Sequence, residues 1–131
     1  MKVDKKTLDE LTEKAKASER LRMNFDLRTS SDDNSQRMLN ALEPGTVVPI
    51  HRHCTTTETV IIVRGKVKEI LFDEKGNITE EIIMEVGGEC PILQISAGQW
   101  HSIESLESGT VIFEAKDGAF APLLEKDIFK H

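Results

Sequence analysis

The stretch GTVVPIHRHCTTTETVIIVRG, residues 45–65, places two of the chain's four histidines one residue apart in a run rich in β-branched side chains. Read as a strand, TVVPIHRH sends successive side chains to opposite faces, so His51 and His53 project together while Arg52 points away. A shared face is what two metal ligands need. Taken alone, the HxH pair fits two solvent-facing imidazoles at least as well. The surroundings add to it. Glu58 opens the next run, TETVIIVRG, and Gly65 closes it. Further along, SAGQWHSIES puts His101 three residues after Gly98, where a glycine lets the chain turn tightly and aim the histidine inward. Three imidazoles and one carboxylate converge on this reading.

Outward from that stretch, short β-branched runs alternate with turn signals. Candidate strands are QRMLNAL, TVVPIHRH, TETVIIVRG, KVKEILFD, NITEEIIMEV, PILQIS, WHSIES and GTVIFEAKDG. They are separated by EPG (43–45), DEKGN (73–77), VGGE (86–89), AGQ (97–99) and ESG (107–109), which carry the glycines and acids that turns require. Many short strands in succession predict an all-β sandwich or barrel. Before them, Asp4 can cap a helix whose apolar positions Leu8, Leu11 and Ala15 recur at helical spacing. The expectation is one domain over 1–131: a helical segment at 1–22, a barrel at 36–118 and an apolar tail at 119–131.

Composition narrows the function classes. With 131 residues, 38% hydrophobic and 31% charged, the chain is expected to be a folded globular protein rather than a disordered one. Its formal net charge is −6 and its basic residues are scattered among acids, which argues against a nucleic-acid partner. The first residues, MKVDKKTLDELTEKAKASER, lack the apolar core of a secretory signal, and no window approaches a membrane span. A cytoplasmic location is expected, with Cys54 and Cys90 as free thiols that bind no metal.

The spacing G(x)5HxH(x)4E(x)6G from Gly45 to Gly65 resembles the first motif of the cupins at every fixed position. The second cupin motif, G(x)5PxG(x)2H(x)3N, matches at Gly98 and His101, with Cys90, Ser96 and Ser105 at its other fixed positions. The stretches SQRMLNALEPGTVVPIHRH and GQWHSIESLESGTVIFEAKDGAF, with the helical N-terminus, look like the WbuC-type cupin-fold metalloproteins, often encoded among bacterial surface-polysaccharide genes. The resemblance implies a double-stranded β-helix, or jelly-roll barrel, with His51, His53, Glu58 and His101 as the ligands of one divalent metal, and a homodimer. Such a ligand set suits iron, manganese, nickel or zinc and leaves positions open for water or substrate.

Other residues are weaker candidates. Glu114 and Lys116 share one face of a late strand and Val111, Phe113 and Ala115 the other, so the polar pair faces either the cavity, for proton transfer or substrate contact, or solvent. The resemblance favours the cavity. Arg28, Gln36 and Arg37 precede the metal segment and are candidate substrate-binding residues, an arginine fitting a carboxylate or phosphate. Arg52 is expected at the rim, and Trp100 in core packing on the side away from His101. Three functions follow: a metal-dependent enzyme acting on a small polar molecule such as a sugar or sugar nucleotide, an iron or nickel dioxygenase, or a non-catalytic module binding a carbohydrate or other small molecule.

Overall fold

The computed structural model describes residues 1–118 and 121–130. Of the apolar tail foreseen at 119–131, positions 119, 120 and 131 therefore lie outside the described residues. Two antiparallel sheets face each other: β1(Arg22–Asp26), β2(Ser35–Leu42), β8(Thr110–Asp117), β3(Glu58–Arg64) and β6(Ile92–Ile95), in that order, and β5(Ile78–Glu85), β4(Lys66–Phe72) and β7(Trp100–Ser105). Helix α1(Lys5–Ala17) precedes them, and a 3-10 turn, Glu125–Asp127, lies in the tail.

Each strand's alternation divides its residues between two environments. Between the sheets, Leu42, Val60, Ile62, Val67, Met84, Ile95 and Ile112 form one apolar cluster. On the outer face of the larger sheet, Leu39, Ala41 and Val111 meet Leu11 and Ala15 of α1 in a second. The helix starts where Asp4 accepts a hydrogen bond from the Thr7 N–H at 3.1 Å, which satisfies one of the open amides of its first turn. It presents Leu8, Leu11 and Ala15 to the sheet, as their spacing predicts. Because the helix covers the outer face, the polar positions of β2 and β8 turn inward.

Two strand expectations differ from the structure. TVVPIHRH is an irregular segment with only isolated bridges at His51, because Pro49 has no N–H to give to a ladder. Conversely, Arg22–Asp26, unassigned in the sequence, is a strand that pairs antiparallel with β2, from Arg22 opposite Leu42 to Asp26 opposite Met38. Gly65 makes the β3–β4 connection possible: its φ is +81°, and a Cβ there would lie 2.2 Å from the Thr110 hydroxyl. Among the described residues no helix is long and apolar enough to cross a membrane.

Candidate metal centre and cavity

The segment carrying His51 and His53 is fixed by the strand that carries His101. His51 N donates to His101 O at 3.0 Å and His101 N to His51 O at 2.8 Å. Such a reciprocal antiparallel pair holds both side chains on one face, and the two ring centroids lie 4.2 Å apart. Gly98, with φ +83°, donates its N–H to His53 O at 2.8 Å and so ties the second histidine to the same turn. The His53 ring centroid stands 5.3 Å from that of His51 and 5.7 Å from that of His101. One nitrogen from each ring lies within 4.8 Å of the other two.

Hydrogen bonding sets which nitrogens are free. His51 Nδ1 lies 2.8 Å from Pro49 O and His101 Nδ1 lies 2.9 Å from Gln99 O. A carbonyl only accepts, so both Nδ1 atoms carry the proton and both Nε2 atoms keep a lone pair. His101 is 3% exposed, and its Nε2 has no hydrogen-bond partner. Burial, together with the neighbouring His101, lowers the pKa of His51 to about 4, and burial also lowers that of His101. Both rings are therefore neutral at pH 7. His53 Nε2 meets Glu58 Oε2 at 2.9 Å. Burial alone would raise the Glu58 pKa, but the His53 hydrogen bond and the surrounding imidazoles hold it below the usual value. A carboxylate and three imidazoles, two of them oriented by backbone carbonyls, fit the donor set of a divalent transition metal.

Beside this cluster opens a cavity of about 380 Å³, lined by His51, His53, Glu58, Gln36, Glu114 and Lys116 among others. It continues into a smaller inner space reached by Glu69 and His101. Glu114 and Lys116 thus face inward, as Val111 and Phe113 lie under the helix. Register places Lys116 directly between Gln36 and Glu58, and Glu114 between Met38 and Val60. Burial, reinforced by the charge of Glu58, pushes the Glu114 pKa up to about 8, and Asn40 Nδ2 donates to its Oε1 at 3.3 Å.

The other candidates lie elsewhere. Arg37 is on the opposite face of β2 and pairs with Asp33 at 2.8 Å. The Arg28 guanidinium is bound to Asp26 at 2.7 Å and donates to Ser31 O. Among the described residues neither lines the cavity. Arg52 stacks over the outward-facing Trp100, 4.5 Å from the ring, and pairs with Asp127. Trp100 is buried on the side of its strand away from His101, as expected, and is covered there by Phe129 of the tail. Cys54 and Cys90 are free thiols, and Cys54 Sγ donates to Asp127 Oδ1 at 2.9 Å.

Sequence reading missed Glu69, Asn40 and Arg22. Glu69 is 2% exposed, its Oε2 has no partner, and burial with the nearby Glu58 and Glu114 raises its pKa well above the usual range. The available signal was alternation: Glu69 takes the same face as Val67, and Asn40 the same face as Met38 and Leu42. A charged or amide side chain in the apolar register of a half-buried strand marks a polar site.

Two facing antiparallel sheets with a histidine cluster lining the space beside them are the architecture of a cupin-type barrel, and comparison with solved structures bears out that fold. Capsular polysaccharide assembling protein CapF from Staphylococcus aureus superposes with a TM-score of 0.67 at 22% identity, over 80% of this chain and 30% of CapF. Oxalate decarboxylase from Bacillus subtilis gives 0.60 at 22% identity, over 83% and 27% of the respective chains. KdgF from Halomonas sp. gives 0.59 at 13% identity, over 74% and 80%. The chain thus spans less than a third of CapF and of oxalate decarboxylase. No curated protein matches the chain. The chain belongs to the family described as domain of unknown function (DUF6016), whose model matches residues 3–84.

Proposed function

We propose that this protein is a metal-dependent enzyme in which His51, His53, Glu58 and His101 hold one divalent transition metal beside a cavity for a small polar substrate. The observation that carries the reading is the convergence of three imidazole nitrogens within 4.8 Å, with the Nε2 atoms of His51 and His101 left as acceptors. A bound metal supplies Lewis-acid polarisation of a carbonyl or hydroxyl oxygen. Glu114, protonated near pH 7, is the proton donor in this reading, with Asn40 fixing its Oε1. Lys116 and Gln36 contact the substrate, and Pro122 and Leu123 of the tail line the same space. A sugar or sugar nucleotide of surface-polysaccharide metabolism is the substrate class, supported by the likeness to the polysaccharide-assembling CapF. The open edges at β1 and β6 support a homodimer, for which a monomeric size at micromolar concentration would be contrary evidence.

The test is elemental analysis of untagged protein beside the His51→Ala/His53→Ala variant. Near-stoichiometric first-row metal that is lost in the variant supports the site. Iron accompanied by oxygen consumption would move the chemistry to a dioxygenase, and ligand binding without turnover would leave a binding module. A wild type that stays metal-free when Fe(II), Mn(II), Ni(II) and Zn(II) are supplied refutes the proposal.

A further inference from the structure

The cavity wall opposite the histidines carries its own recognition chemistry. Gln36 is 4% exposed and lines the cavity, yet its Oε1 has no hydrogen-bond partner. Asn40, beyond Met38 on the same face of β2, spends its Nδ2 on Glu114 and leaves Oδ1 equally unpaired. A buried amide oxygen without a donor costs free energy that a ligand hydroxyl or amine can recover. Arg22, from the neighbouring strand β1, lines the same cavity. Its Nη1 donates to Val47 O at 2.6 Å and Thr46 Oγ1 at 3.3 Å, which anchors the guanidinium. Nε and Nη2 have no partner among the described residues. That pair of parallel N–H groups forms a fork suited to two oxygens of one oxyanion. Lys116 and, at the rim, Arg20 add positive charge to the same space. Of the carboxyls facing it, Glu58 is engaged by His53 and Glu114 by Asn40.

We infer that the cavity binds a small polyhydroxylated oxyanion, with the Arg22 fork on its carboxylate or phosphate and the Gln36 and Asn40 amide oxygens accepting from its hydroxyl groups. This rests on the reading of the cavity as a small-polar-substrate site and narrows that substrate to an acid or phosphate ester of a polyol. Neutral polyols lack the partner for Arg22, and simple fatty acids lack the donors for Gln36 and Asn40.

The test is calorimetric titration of the full chain, supplied with Fe(II), Mn(II), Ni(II) or Zn(II), with four probes. D-gluconate and D-glucitol 6-phosphate carry both features, D-glucitol only hydroxyls and hexanoate only the anion. At least one of the first two is expected to bind about tenfold or more tighter than either single-feature probe, as a charge-assisted fork requires. Which of the two binds better assigns carboxylate or phosphate. Arg22→Gln removes that preference, Arg22→Lys restores it only in part, and Gln36→Leu lowers gluconate affinity toward that of hexanoate. The inference is overturned if neither oxyanion exceeds both controls, or if Arg22→Gln with wild-type circular dichroism binds gluconate and glucitol 6-phosphate as the wild type does. Metal content measured on the same samples keeps the two readings apart. A metal-free chain that still selects the oxyanion through Arg22 retains this inference and removes the metal centre.

Discussion

Replacing Glu114 with glutamine tests the electrostatics of the cavity directly. In the metal-free protein burial and the charge of Glu58 push the Glu114 pKa from 4.5 to about 8. A carboxyl whose folded pKa exceeds its unfolded value contributes stability below the unfolded pKa and loses it as pH rises toward the folded pKa. A tenfold difference in acidity between the folded and unfolded chain is worth about 1.4 kcal/mol, so ionisation in the unfolded chain costs the fold on the order of 3 kcal/mol at pH 7 and about 5 above pH 8. Glutamine keeps the shape of the neutral carboxyl and cannot ionise. Urea unfolding of metal-free wild type and Glu114→Gln, from pH 5 to pH 8.5, is therefore expected to give curves that nearly coincide at the acid end. They diverge as pH rises, with the variant the more stable at pH 7 by roughly 3 kcal/mol. Glu69, raised in the same direction chiefly by burial, steepens the decline in both proteins; because the Glu114 charge adds to that rise, the variant's decline is the shallower of the two. A difference independent of pH over this range would mean that Glu114 titrates as an ordinary carboxyl, and would remove it as a proton donor at neutral pH.

Glycine substitutions should separate two causes of strain. Gly65→Ala meets Thr110 backbone at 2.6 Å in addition to its positive φ and should lower stability by roughly 2 kcal/mol or more, whereas Gly98→Ala, with nothing within 4 Å, should cost about 1 kcal/mol, read by thermal unfolding. Leu11→Ala, which removes the helix side chain buried on Leu39 and Val111, should cost about 2–4 kcal/mol by urea unfolding. The hydrogen bond to Asp127 raises the Cys54 thiol pKa, so Asp127→Asn should bring it down and speed alkylation by iodoacetamide at pH 8. An unchanged rate would show that the thiol is not held by Asp127.

The barrel and its histidine cluster were legible in the sequence because several local signals agree. β-Branched runs, turn residues and the G(x)5HxH(x)4E(x)6G spacing all require the same chain reversals. What was not legible depends on neighbours distant in sequence. Nothing in Glu114 and Lys116 says which way they point until α1 is known to cover Val111 and Phe113. Arg22–Asp26 contains no β-branched residue, and its strand exists through pairing with β2. TVVPIHRH has strand composition, but Pro49 withholds the donor a ladder needs, and the reciprocal bonds with His101 replace it. The HxH geometry survives that correction because those bonds keep the imidazoles on one face.

The two bridges of His51, to His101 on one side and to Ile128 on the other, also set when the cluster can come into being. His51 and His53 leave the ribosome long before either partner, and the local bond between His51 Nδ1 and Pro49 O fixes a tautomer without bringing the third imidazole near. Long-range pairings of this kind form late, after loop closure has been overcome. The three imidazoles can therefore gather only after His101 has been made and paired with His51, and the pairing with Ile128 adds a second long-range closure to the same segment.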